Sequence, residues 1–162
     1  MGLFNRKKKA VDPIVYAMVS GRILPLSEVP DEVFSQKILG DGFAIAPTDE
    51  VVLAPAEGTV TVLMEGSGHA CGLSLACGID LLVHIGVDTV NMQGEGFEEL
   101  VSVGDTVTTG TPLIRFSSEA IAKAGHSDVV ICVVAEPNGK AVRIEEDGTA
   151  IAGETPVMVV ES

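Results

Sequence analysis

The chain has no tryptophan, one tyrosine and five phenylalanines among 162 residues. Lacking aromatic bulk, its core must be built from Val, Ile, Leu and Ala, and such β-branched runs broken by 18 Gly and 8 Pro favour a β-rich fold. Cysteine is scarce as well. Cys71, Cys77 and Cys132 are odd in number and follow no framework spacing, which argues against a disulfide scaffold and fits a reducing cytoplasm. No apolar run long enough to span a membrane and no signal peptide is present. Basic residues are few and badly spread: Arg6, Lys7, Lys8 and Lys9 are four of the ten. The body is left with six basic against 23 acidic residues, a balance of −17 that argues against nucleic acid and suits a basic protein partner. Residues 1–12 read as a flexible basic tail whose Leu3, Phe4 and basic cluster could make weak contact with an anionic membrane surface. Residues 13–162 suffice for one domain, and Met1 with its basic tail fits a free-standing protein.

The strongest pattern in the body is Gly78 to Asp88. Ile79, Leu81, Val83, Ile85 and Val87 alternate with Asp80, Leu82, His84, Gly86 and Asp88, so a strand is predicted with His84 on its polar face. The stretch Ser67 to Leu75 is also strand-like and carries His69. A two-residue loop at Ala76 and Cys77 would pair residues whose numbers sum to 153, with Gly78 supplying a positive φ. That register sets His69 directly opposite His84, their Cβ atoms roughly 5 Å apart; a one-residue bulge at Gly78 would only offset them diagonally.

Other segments fill in an all-β plan. Val51 to Pro55 and Gly58 to Leu63 read as strands around a turn at Ala56 and Glu57. Val29 to Ile38 reads as a single helical turn or short helix opened by Pro30 and Asp31, and Ser117 to Gly125 as a longer one with hydroxyls at its start. His126 follows it and suits the carbonyls at a helix end. The run from Val103 to Ile114 is echoed between Glu146 and Met158, which suggests two similar hairpin corners in one sandwich.

Two imidazoles at one site suggest phosphoryl chemistry. A neutral imidazole nitrogen is nucleophilic without a base, and phosphoryl transfer asks chiefly for positioning and charge stabilisation. In this reading His84 attacks, the Gly86 carbonyl holds its ring N–H, and His69 and the Ser67 hydroxyl face the phosphoryl oxygens. Asp88 would attract a basic donor. A zinc site at His69 and His84 with Cys71 competes, since imidazole is a common metal ligand.

The segments Gly58-Thr59-Val60, Gly68-His69-Ala70 and Leu81 to Phe97, together with Val29-Pro30-Asp31, Phe34, Gly40-Asp41-Gly42 and Gly153-Glu154-Thr155-Pro156, resemble the glucose-type EIIA component of the bacterial phosphoenolpyruvate-dependent sugar phosphotransferase system. The resemblance runs from about Val15 to Val160. It implies an antiparallel β-sandwich of the duplicated hybrid motif type with a few short helices. It further implies a cytoplasmic phosphohistidine carrier that takes its phosphoryl group from HPr and gives it to the EIIB domain of a sugar permease. His84 is then the phosphorylated residue and His69 the phosphate stabiliser. Val33, Phe34, Ile38, Leu39 and Leu82 match the family's apolar docking ring, and Asp31 and Asp88 its docking carboxylates. No cofactor is required, although incidental or regulatory zinc and regulatory protein targets are compatible with the same face. The readings set against it are a zinc-dependent peptidase-like domain and a purely regulatory binding module.

Overall fold

The computed structural model describes residues 11–64 and 66–161, so most of the basic tail lies outside the described residues. Asp12, expected in that tail, is tied to the first strand: its carboxylate accepts from the Ile14 N–H and the Tyr16 hydroxyl, each at 3.0 Å.

Among the described residues fourteen strands form a sandwich. They are β1 (Ile14–Tyr16), β2 (Gly21–Pro25), β3 (Gly42–Pro47), β4 (Val51–Leu53), β5 (Gly58–Leu63), β6 (Ala70–Leu75) and β7 (Asp80–Ile85) in the first half. The second half adds β8 (Phe97–Glu99), β9 (Thr106–Val107), β10 (Pro112–Phe116), β11 (Val130–Glu136), β12 (Ala141–Ile144), β13 (Thr149–Ala150) and β14 (Pro156–Glu161). One layer is an eight-stranded sheet in the order β9-β5-β6-β7-β11-β3-β2-β13. The other comprises two three-stranded sheets, β4-β10-β8 and β12-β14-β1. All pairings among the described residues are antiparallel.

The two echoed segments are the corners where the chain crosses between layers. β9 closes one edge of the large sheet and leads into β10, while β13 closes the opposite edge and leads into β14. Their hydrogen bonds correspond. Gly110 N–H donates to Ala54 and Gly153 N–H to Ala17; Ala54 and Ala17 N–H donate back to Thr111 and Thr155. Both corner glycines have positive φ, at 95° and 74°, conformations that a side chain would strain.

A large aliphatic cluster fills the space between the layers, including Phe43, Ile45, Leu73, Ile79, Leu81, Val83, Ile85 and Ile114. A second cluster covers part of the outer face of the large sheet. There Leu26, Val29 and Phe34 pack on Leu24, Ala44, Ile131 and Val133. The covering segment differs from the single helix expected over 29–38. It is a 3₁₀ turn at Leu26–Glu28 followed by α1, four residues at Glu32–Ser35. Pro30 holds Val29 extended (φ −75°, ψ 129°), which separates the two turns. Asp31 caps α1 by accepting from Val33 N–H at 2.9 Å, and Lys37 at φ 60° ends the turn. The later helix, α2 (Ser118–Lys123), is capped by Ser117 and stops before Gly125 at φ 85°.

Candidate active site

His84 lies on the outer face of the large sheet, in a row that runs Ala70, His84, Ile131, Ala44 across four strands. Its neighbours in sequence, Val83 and Ile85, are fully buried in the inner core, as the alternation requires. Val87 breaks that alternation. Gly86 has φ 79°, the strand ends at Ile85, and Val87 turns into the outer cluster instead of the inner one.

The hairpin register is one residue off the expected one. Leu75 N–H donates to Ile79 and Gly78 N–H to Leu75, so the loop holds three residues, Ala76 to Gly78. Ala70, not His69, faces His84, and His69 uses its carbonyl to accept from Ile85 N–H at 2.8 Å. The two rings still meet, because β6 begins only at Ala70 and Gly68 at φ 62° turns the chain just before His69. Their centroids are 4.7 Å apart and nearly perpendicular. The same shift removes Cys71 from the site: it pairs with Val83 on the inner face and is completely buried, its thiol pushed up to about 12 by desolvation. Among the described residues no group of three His, Cys, Asp or Glu side chains could hold a metal ion.

Each ring is anchored through Nδ1. His84 donates Nδ1–H to the Gly86 carbonyl at 2.9 Å, leaving Nε2 as a lone pair. His69 Nδ1 lies 2.9 Å from Ser67 Oγ, and in the tautomer whose Nδ1 accepts that hydroxyl's proton, Nε2–H is left as the ring's donor. Ser67, expected to face a phosphoryl group, is instead buried and engaged in orienting His69. Phe34 lies against His84 with centroids 4.9 Å apart, and Phe97 presents its edge to His69 at 6.4 Å. Burial drives the pKa of His84 down to about 4, with the nearby His69 adding to the effect and the Gly86 hydrogen bond, Asp31 and Asp88 opposing it. Burial lowers that of His69 too. Both rings are therefore neutral at pH 7.

The segment whose Phe34 lies against His84 also carries exposed apolar side chains. Val33, Ile38 and Leu39 are exposed at 41%, 65% and 43%, an unusual concentration of apolar surface in one short segment. Leu82 is half-buried beside them, whereas Phe34 belongs to the packing beneath, with 5% exposure. Asp31 is half-buried as the cap of α1, and Asp88 is exposed in a left-handed conformation at φ 61°. Asp88 opens the 3₁₀ turn Thr89–Met92 without capping it through its side chain.

Residues 13–139 match the family described as the phosphoenolpyruvate-dependent sugar phosphotransferase system, EIIA 1. The chain is 40% identical over 160 residues to the PTS system glucose-specific EIIA component of Staphylococcus aureus (strain COL), covering 98% of this chain and 96% of that protein. A protein of the same description from Staphylococcus epidermidis is 39% identical over the same length. Among solved structures, glucose permease IIA from Mycoplasma capricolum superposes with a TM-score of 0.82 at 34% identity, covering 90% of this chain and 94% of that one.

The chain belongs to the EIIA 1 family of the sugar phosphotransferase system. Membership places it in phosphoryl transfer for sugar uptake and gives no support to a zinc peptidase. As an EIIA 1 protein it carries site features that the sequence pattern did not single out. Thr89 is fully buried and its hydroxyl donates to the Ile85 carbonyl, closing the end of the strand that bears His84. Val62, exposed at 45%, adds apolar surface on the same row as Leu82, since it stands beside Gly72, whose other neighbour is Leu82. The sequence held no signal for Val62: a regular strand would put it on the buried face of Val60, and only the irregularity of β5 between them turns it outward. No described helix is long and apolar enough to cross a membrane.

Proposed function

We propose that the chain is a stoichiometric phosphohistidine carrier, and that His84 Nε2 is the atom that carries the group. The observation behind this is the hydrogen bond from His84 Nδ1–H to Gly86, which selects the tautomer whose free nitrogen is Nε2. Low basicity keeps that nitrogen unprotonated at neutral pH. The Nε2–P bond forms as the P–N bond of the donor's phosphohistidine breaks, and the electron pair of the broken bond returns to the donor's ring. The donor is HPr, and the acceptor is the EIIB domain of a sugar permease, to which the group leaves by the same displacement in reverse.

His69 is the second imidazole within reach of the transferred oxygens, and its anchorage by Ser67 fixes its ring before the group arrives. Val33, Ile38, Leu39 and Leu82 supply the apolar contact for both partners, Asp31 and Asp88 the attraction for basic side chains, and Phe34 the floor under His84. The same face would take regulatory protein targets when His84 is free. Transfer needs no cofactor, because positioned imidazoles do the work that a metal would otherwise do; zinc at the pair would be incidental or regulatory. This assignment places residues 13–162 as one EIIA domain working in the cytoplasm, where its phosphoryl donor is found.

Incubation with phosphoenolpyruvate, enzyme I and HPr tests it. One acid-labile, base-stable phosphoryl group per chain is expected, absent from His84→Ala. Full labelling of that variant overturns the assignment, and partner binding without any labelling of the native chain would make this a binding module instead.

A further inference from the structure

The ladder between β7 and β11 stops halfway through a rung. In an antiparallel pair, facing residues that exchange two backbone hydrogen bonds alternate with facing residues that exchange none. Ile131 faces His84 and Val130 faces Ile85, so the next facing pair is Val129 and Gly86. Gly86 N–H donates to the Val129 carbonyl at 2.7 Å, which marks this pair as one of the exchanging kind. The returning bond would run from Val129 N–H to the Gly86 carbonyl, and both of its members are engaged elsewhere. Val129 N–H donates to Ser127 Oγ at 3.2 Å, while the Gly86 carbonyl accepts His84 Nδ1–H at 2.9 Å.

We propose that Ser127 is a positioning residue for phosphoryl transfer: its hydroxyl holds Val129 N–H and thereby leaves the Gly86 carbonyl to His84. Val129 and Gly86 are both buried, and a buried N–H needs an acceptor. Without the Ser127 hydroxyl, the acceptor that the ladder offers is the Gly86 carbonyl. That oxygen would then be divided between backbone and imidazole, and its hold on the Nδ1–H tautomer of His84 would slacken. The inference rests on the carrier reading of His84 and adds to it a residue from the segment that follows α2.

Ser127 is itself held in place. Its carbonyl accepts from Val87 N–H at 3.1 Å and lies against Gly86, where an added Cβ would stand 2.8 Å from the Ser127 oxygen. Asp128 Oδ2 accepts from Ser118 Oγ at 2.9 Å, which ties the segment to the first turn of α2. On the other side of the turn, the Thr89 hydroxyl donates to the Ile85 carbonyl. Both peptide groups that meet at Gly86 are therefore bonded at each end. The Ile85–Gly86 peptide is held by Thr89 and Val129, and the Gly86–Val87 peptide by His84 and Ser127. Three of those four partners are fixed parts of the fold. The fourth is the imidazole, and Ser127 removes the donor that would compete with it.

The test compares the native full-length protein with Ser127→Ala and Ser127→Thr. Ring ¹⁵N signals of unphosphorylated His84 report its tautomer with no phosphoryl donor present. Ser127→Ala is expected to raise the share of the Nε2–H tautomer about fivefold and to slow the maximal labelling rate by about the same factor, with the KM for HPr unchanged. Ser127→Thr keeps the hydroxyl and should restore both. A native tautomer in folded Ser127→Ala overturns the proposal, as does a shifted tautomer with native labelling or a failure of threonine to restore it. The native protein gives a reading that does not depend on whether the variants fold. Scalar coupling across the hydrogen bond is expected from His84 Nδ1 to the Gly86 carbonyl carbon, and coupling to that carbon from the Val129 amide nitrogen overturns the proposal. A native chain that takes no label counts against the carrier reading and leaves the tautomer results standing.

Discussion

His84 and Gly86 are joined by a hydrogen bond from the ring Nδ1–H to the backbone carbonyl at 2.9 Å, two residues along the same chain. That bond exists because Gly86 adopts φ 79°, which bends the strand end and brings its carbonyl back toward the ring. The conformation leaves no room for a side chain. A Cβ on Gly86 would lie 2.4 Å from Thr89 Cγ2 and 2.8 Å from the Ser127 carbonyl oxygen. Gly86→Ala is therefore expected to cost about 1–3 kcal/mol of stability and to slow labelling at His84, because the carbonyl that fixes the tautomer must move. Urea unfolding and the initial labelling rate measure the two effects; a native labelling rate in a destabilised variant would separate the carbonyl from the chemistry.

The depressed basicity of His84 fixes a pH window. Folded, the ring titrates at about 4; unfolded, near 6.5, so between those values the unfolded chain binds the extra proton. Stability from this group is complete above pH 6.5 and is lost as pH falls toward 4, with His69 acting in the same direction. Comparison of native protein with His84→Gln isolates it from the carboxylates. The stability difference between them is expected to change by on the order of 3 kcal/mol from pH 7 to pH 4. Over pH 6–8 the labelling rate should be flat with respect to this group, and a titration of the rate near 6.5 would show that His84 is not shielded as its packing implies.

His69 should separate acceptance from delivery. His69→Gln keeps a side chain of similar reach but lacks the ring that stands 4.7 Å from His84. Labelling is expected to persist, and onward transfer to EIIB to slow roughly 10²-fold, the size of losing one well-placed donor to a developing charge. Single-turnover transfer from the labelled variant reads this directly; unaltered onward transfer removes the role given to His69.

How far the sequence carried these conclusions depends on which force decided each element. Period-two alternation places Ile79 to Ile85 correctly because one face of β7 is buried against the inner core, and burial enforces the pleat. The register of the same hairpin was not readable, since one loop residue more or less exchanges Ala70 for His69 opposite His84, and that choice rests on the backbone of Ala76 to Gly78. Cys71 changes from candidate ligand to core residue through the same slip. Phe34 shows a different limit. Its apolar character marks the docking ring and the interior equally well, and only the four-residue α1 decides that Val33 points out and Phe34 in. Val87 obeys the alternation until Gly86 reverses it.

Phe34, buried in α1, and the exposed Ile38 just beyond it should therefore respond in opposite ways. Phe34→Ala empties a buried position against the His84 ring and is expected to cost about 3–5 kcal/mol. Ile38→Asp, at 65% exposure, should leave stability within about 0.5 kcal/mol. Its effect belongs to association: the KM for HPr is expected to rise by about tenfold or more, with maximal labelling little changed, since truncating a central rim contact commonly costs more than 1 kcal/mol of binding. Chemical denaturation and labelling at varied HPr concentration distinguish the two classes.

Asp88 offers a contribution of electrostatic origin alone. Its carboxylate caps nothing in the turn it opens, and the residue is exposed, so Asp88→Asn should fold with native stability. Attraction between exposed charges is screened over about 8 Å at physiological ionic strength, which makes its contribution to docking dependent on salt. Native labelling should slow as salt rises from low ionic strength, and the variant should begin slower and lose less. The difference between them should narrow as salt increases, because added ions do to the native protein what the substitution has already done. A salt dependence identical in both proteins would show that Asp88 meets no basic group on the donor, and would move the attraction to Asp31 and the remaining acids of a body whose excess of negative charge reaches −17 outside the first nine residues.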